Sequence, residues 1–344
     1  MNGDPFDALF PRRQTCKEFQ MASPDLLRKR REYSEGRLAE LQEQISHIKI
    51  LEKIPELCIY VTGSYGRREA SEYSDLDVFF LHKGSREKNK VSNIHKTLLD
   101  AELIRICQGL KFPEFSEDGE YLQIHYLDDM TKDLGSRNDD FSNYFTARLL
   151  LVLESYPLHN PQTYMDIIGS ITQTYFRDYH DHHQAFKPIF IANDIIRFWK
   201  TLCLNYEHKR NRPSDDPSRK VKNHIKNLKL KFSRLMTCFS MIYAVSLTKT
   251  SINAEQLAKL IQDTPVNRIN TETNKDCPDV KSILKEYAWF LECTGRPHKD
   301  LHEWISIENN RIEAFSHARD FGNSMYNLLL KGAGDSEAFR FLVI

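Results

Sequence analysis

The chain has 344 residues, with 48 Lys plus Arg balancing 48 Asp plus Glu, and 40% of its positions are hydrophobic. That length accommodates one large or two ordinary domains with a real core, and the composition excludes a disordered or low-complexity chain. Only 13 Gly and 13 Pro argue against a many-turned all-β protein and for long helices. No apolar run approaches the roughly 18 residues of a membrane span, so no membrane partner is expected. The opening MNGDPFDALFPRR puts a Pro and two Asp where a signal peptide needs an apolar stretch, and a cytoplasmic protein is expected. Seven Cys are scattered with no CxxC pair, which reads as reduced thiols rather than a disulfide framework or zinc site.

In chain order, residues 1–22 form an N-terminal arm. Ser23-Pro24-Asp25 then combines an N-cap serine, a first-turn proline and a helix-start acid. The helix they open carries Leu27, Leu38, Leu41, Ile45, Ile48 and Leu51 at helical spacing and stops before Pro55. Leu57–Thr62 is a β run closing on Gly63-Ser64, a turn or short helix covers 65–70, and 75–81 is a second strand. Val91, Ile94, Leu98, Ala101 and Ile104 share one face of a helix over 86–107, and a third strand follows at 121–127. Residues 23–135 are therefore expected to form an α/β (α+β) catalytic core with a small mixed sheet. Gly135, Ser136 and Asn138 interrupt the periodicity. From 136 to 344 the pattern is helical at 141–155, 164–179, 184–206, 221–247, 254–261, 280–293 and 301–330. The second domain is predicted to be an all-helical bundle that binds substrate or nucleotide.

The informative segment runs from Val61 to Phe80. Strand alternation puts Asp75 and Asp77 on one face while Leu76, Val78 and Phe80 point to the core. Two carboxylates so placed repel each other unless a cation sits between them, and oxygen ligands of this kind suit Mg²⁺ (or Mn²⁺) completed by substrate phosphates. Gly63-Ser64 ends the preceding strand, where free backbone N–H groups and the Ser64 hydroxyl are able to hold a phosphate. A phosphate grip beside a metal-binding acid pair is the apparatus of metal-dependent nucleotidyl transfer.

Gly63-Ser64, ten residues, then Asp75-Leu76-Asp77-Val78 resembles the signature of the polymerase-β-like nucleotidyltransferases. The fuller string GSYGRREASEYSDLDVFF is most similar to the nitrogen-regulator uridylyltransferases and related bacterial nucleotidyltransferases. The resemblance implies that Asp75 and Asp77 hold the metal and that Gly63 and Ser64 hold the triphosphate, with Arg67 beside them. It also implies a third carboxylate on a later strand. The third strand offers Gln123 and His125 on its polar face, which leaves Asp128 as the candidate, with Asp139 or Asp140 as alternatives.

The neutral total hides one basic segment. Lys209 to Arg234 carries ten Lys or Arg against two acids, Asp215 and Asp216. On the helix there, Val221, Ile225, Leu228, Phe232, Leu235 and Phe239 form an apolar face, flanked by Lys222, Lys226 and Lys229 on one side. Most of these cations read as solvated flanks of a core helix; Lys222 and Lys226 are the candidates for reaching triphosphate. The expected function is metal-dependent transfer of NMP or dNMP from a nucleoside triphosphate such as ATP to a hydroxyl acceptor, with pyrophosphate leaving. The acceptor is read as a nucleic acid, a growing oligonucleotide or a protein, in a toxin-like or antiviral-defence role. The alternative is a nucleotide-binding regulatory protein without turnover.

Overall fold

In the computed structural model, residues 24–115, 122–177, 179–182, 186–212, 217–247 and 252–333 are described; the predicted N-terminal arm and Tyr121 lie outside them. The first part contains α1 (Pro24–Ser46), β1 (Leu57–Thr62), α2 (Gly63–Gly66), β2 (Asp77–His82), α3 (Arg86–Asn89), α4 (Asn93–Gly109), β3 (Ile124–Tyr126), α5 (Leu127–Lys132), α6 (Arg137–Phe141), α7 (Tyr144–Glu154), β4 (Tyr156–His159) and α8 (Pro161–Thr174). The remainder is helical: α9 (Tyr179–His182), α10 (Ile189–Asn211), α11 (Pro217–Lys229), a π-helical turn (Leu230–Arg234), α12 (Leu235–Leu247), α13 (Ala254–Gln262), α14 (Pro265–Ile269), α15 (Pro278–Thr294), α16 (His298–Ser306) and α17 (Glu308–Ala333). No described helix is long and apolar enough to cross a membrane.

The strands form one mixed sheet in the order β3-β2-β1-β4. β1 pairs antiparallel with both β2 and β4, and β3 runs parallel to β2. Every residue of β1 is buried, as a continuous apolar run demands when both faces are covered. On one face Ile59, Val61, Val78 and Phe80 pack against Leu38, Leu41 and Ile45 of α1 and Leu99 and Leu103 of α4. On the other, Cys58, Tyr60, Phe79 and Leu81 pack against α7, α8, α10 and α12. A third core joins α11, α15, α16 and α17. The N-terminal end of α1 reaches this core through Leu26 and Leu27, and Arg30 donates to the Leu291 carbonyl at 3.2 Å. One helix thus ties the sheet to the helical part.

The α/β core and the mostly helical remainder agree with the expectation, but the sheet does not end at residue 135. Its fourth strand is Tyr156–His159, in the gap between the helices predicted over 141–155 and 164–179 of an all-helical domain. Pro157 within it pairs with Tyr60 beside a register shift, which suits an edge strand. The predicted helix over 86–107 is divided into α3 and α4, because Ser85 and Ser92 each accept a backbone N–H at a new helix start. The π turn adds one residue to the long basic helix. Beyond Phe232 the fully buried position is therefore Met236, while the predicted Leu235 and Phe239 are only partly buried.

Candidate active site

The site forms where β1 ends. Thr62, the last residue of β1, pairs with Asp77, the first of β2. Gly63 then turns the chain out of the sheet with φ +65°, a conformation favouring glycine. A Cβ at Gly63 would lie 2.8 Å from Asp77 Oδ2, so glycine is also needed for the carboxylate to rest against the turn. Gly66, one helical turn on, packs so closely on the Glu154 carbonyl oxygen that any side chain would overlap it. The first turn of α2 leaves backbone N–H groups without helical partners, and the half-buried Ser64 hydroxyl has no hydrogen bond among the described residues.

Asp77 opens β2 on the sheet face that looks toward the helical part, the face of Phe79 and Leu81, and Asp75 lies two residues before the strand, where its charge acts on Asp77. Neither carboxylate makes a hydrogen bond or ion pair among the described residues. Burial raises the Asp77 pKa; Arg234 and Arg67 oppose that rise, and the Glu154 and Asp75 carboxylates add to it. An unpartnered, partly desolvated acid pair cradled against a glycine fits a divalent cation. Among the described residues there is no group of three or more metal-ligating side chains; a cation here would take two carboxylates from the protein and the rest of its coordination from substrate and water.

Behind the pair lies a buried ionic chain. Arg67 Nε donates to Glu69 Oε1 at 2.6 Å, and its other arm pairs with Glu154. Glu154 also pairs with Arg234 and accepts the Thr237 hydroxyl at 3.2 Å, while Tyr287 OH donates to both Glu69 oxygens at 2.9 Å. Burial would raise the Glu154 pKa, but Arg234 and Arg67 hold its carboxyl below the ordinary value. Burial alone would lower the Arg67 pKa, but Glu69 and Glu154 keep it well above the usual one. Arg67 is therefore not a free phosphate ligand. Its side chain is 7% exposed and fully engaged, because a guanidinium this deep needs its partners.

The cation that does face the acids is Lys229. It is solvent-exposed yet surrounded by protein, as in a cleft: burial lowers its ammonium pKa, Asp75 and Asp77 oppose that, and Arg234 and Arg67 add to it. Lys226 and Lys222 are exposed on the same flank of α11, about one and two turns before Lys229. Asp128 does not reach the site. β3 runs parallel to β2 with Tyr126 beside His82, so Asp128 lies past the opposite end of β2, about 17 Å along the strand from Asp77. Of the alternatives, Asp139 is fully buried in a two-pronged pair with Arg148 at 2.7 and 2.8 Å, and Asp140 pairs with Arg197.

A glycine turn that closes one strand against two unpartnered carboxylates at the start of its neighbour is the arrangement that the resemblance implied. Residues 37–167 match the family model of the nucleotidyltransferase domain. The matched span begins inside α1 and ends inside α8, and so includes β4, which sequence periodicity had left in the helical part. A comparison with curated proteins finds no match.

Glu154, Glu69 and Tyr287 went unnoticed in the sequence because the chain separates them by 85 and 218 residues. Lys229 and Arg234 carried a signal, as members of the basic helix, but nothing in the linear pattern told them from their neighbours.

Proposed function

We propose that the chain is a divalent-metal-dependent nucleotidyltransferase, moving NMP from a nucleoside triphosphate to a hydroxyl acceptor. The observation that carries this reading is the unpartnered Asp75–Asp77 pair held against Gly63 at the end of β1. Magnesium or manganese bound by Asp75 and Asp77 would supply Lewis-acid stabilisation of the phosphate charge. The chain's own groups do the positioning. The Gly63–Ser64 turn offers backbone N–H groups and the Ser64 hydroxyl to the phosphate tail. Lys229 adds positive charge on the helical side, and Arg234 is oriented by Glu154 so that the cleft keeps a fixed geometry. The acceptor hydroxyl gives up its proton to water, its oxygen bonds to the α-phosphorus as the α–β P–O bond breaks, and pyrophosphate leaves. The row of Lys222, Lys226 and Lys229 favours a nucleic-acid or oligonucleotide acceptor over a cationic small molecule.

The test uses each α-labelled NTP and dNTP with Mg²⁺ or Mn²⁺, in the presence of total RNA and of protein extract, resolved on a denaturing gel. Transfer of label that disappears in the Asp75→Asn/Asp77→Asn variant supports the proposal. Metal-dependent nucleotide binding without label transfer or pyrophosphate release from any nucleotide would reject it in favour of a regulatory nucleotide binder.

A further inference from the structure

A second cavity, of about 810 Å³, opens between α10, α11 and α17, and its chemistry differs from that of the acid pair. Arg210, Lys220, Arg311 and Arg319 line it, and among the described residues none of its lining is acidic. Arg210 is paired with Glu207 at 3.0 Å, whereas Lys220, Arg311 and Arg319 have no carboxylate partner among the described residues. Arg311 instead reaches the Ser306 carbonyl at 3.4 Å, and Arg319 the Ser316 hydroxyl at 3.2 Å. Three cations facing one concavity repel one another, so the empty site stores unfavourable charge that an anion relieves. Two aromatic rings, Tyr206 and Phe315, share the lining and are only partly covered. A cavity of the same volume between α1 and α4 makes the contrast: there Glu102 lies among the lining cations and pairs with Arg105 at 3.0 Å.

Cations without a carboxylate partner among the described residues, next to partly covered aromatic rings, match phosphate and base together. The residues of α11 that line this cavity, such as Lys220, fall on the opposite flank of its buried face from Lys222, Lys226 and Lys229. The site is therefore separate from the acid pair. We infer that the α10–α11–α17 cavity is a second binding site, for a nucleoside phosphate, held by Lys220, Arg311 and Arg319 and stacked on Tyr206 or Phe315. The same chemistry is supplied by one residue of a single-stranded nucleic acid or by a free nucleotide. A volume near 800 Å³ takes one or two nucleotides and lets a strand continue outward.

The test is fluorescence polarisation of the full chain with a labelled twelve-residue single-stranded RNA and, separately, with a labelled AMP, in EDTA, so that the acid pair is not engaged. Arg311→Ala/Arg319→Ala is expected to weaken binding about tenfold or more and, for the RNA, to reduce the salt slope by about 1.4. Tyr206→Leu, which keeps apolar bulk but removes the ring, is expected to weaken it about fivefold or more. Asp75→Asn/Asp77→Asn is expected to leave it unchanged, which separates this proposal from the nucleotidyl-transfer reading. RNA binding with AMP unable to compete assigns the site to a strand; AMP binding with the same variant pattern assigns it to a free nucleotide. The proposal is overturned if neither probe binds. It is also overturned if the Arg311/Arg319 variant binds like wild type, or if Lys49→Ala/Lys53→Ala, at the other cavity, weakens binding equally.

Discussion

Replacing Arg67 with methionine keeps most of the side chain's bulk and removes a cation that two buried carboxylates share. Breaking a buried pair from one side costs about 3–5 kcal/mol, because the remaining charge is left in a low-dielectric setting. Here the loss is cushioned. Glu69 keeps the Tyr287 hydroxyl at 2.9 Å, and Glu154 keeps Arg234 and Thr237. The expected destabilisation is therefore near the lower end, about 3 kcal/mol, a large share of the ~5–15 kcal/mol by which a domain is stable. Urea unfolding at pH 7 reads it directly. Arg67 helps hold the Glu154 pKa below its unfolded value, so that part of the stabilisation is present above about pH 4.3 and is lost as pH falls through the folded value. The gap between wild type and Arg67→Met should accordingly narrow below pH 4. A loss under ~1 kcal/mol at pH 7, together with a raised KM for nucleotide, would refute this. It would mean that Arg67 is a mobile phosphate ligand, as the sequence alone had suggested.

Three further outcomes are expected. Gly63→Ala places a Cβ 2.8 Å from Asp77 Oδ2 at a φ of +65°; nucleotide transfer should fall about 100-fold while urea unfolding shows a loss of only ~1–2 kcal/mol. Lys229→Ala should raise KM for the triphosphate about tenfold, the worth of one charged hydrogen bond, whereas Lys222→Ala changes it less than about twofold in steady-state assays. His125 is half-buried between Phe79 and Tyr144. Burial, with Arg86 adding and Asp129 opposing, pushes its pKa down to about 4. Since the unfolded imidazole takes a proton near pH 6.5, stability should fall between pH 6.5 and 4 by up to ~3 kcal/mol from this group, and His125→Phe should flatten that slope in pH-dependent unfolding.

What the sequence made legible was local. β1 is bounded as expected because an apolar run meets a glycine, and Asp77 starts β2 as its first paired residue. β2 starts two residues later than the hydrophobic run, since its partner β1 ends at Thr62 and leaves Asp75 and Leu76 unpaired. β4 was invisible: four residues including a proline carry too little pattern, and only the sheet edge it completes defines it as a strand. The identity of the cation coupled to the acid pair was nonlocal in the same way. An arginine beside a glycine turn looks available until Glu154, brought in by the close approach at Gly66, takes it up. On a basic helix, likewise, only the fold brings Lys229 near Asp75 and Asp77.

The most direct test of the site is calorimetric titration of a non-hydrolysable triphosphate into wild type and into Asp75→Asn/Asp77→Asn, each with and without Mn²⁺. If the acid pair and the Gly63–Ser64 turn form one metal–nucleotide site, Mn²⁺ should tighten wild-type binding at least about tenfold and leave the variant unaffected. Binding that is equally tight without metal, or that gains equally from metal in the variant, would contradict the account.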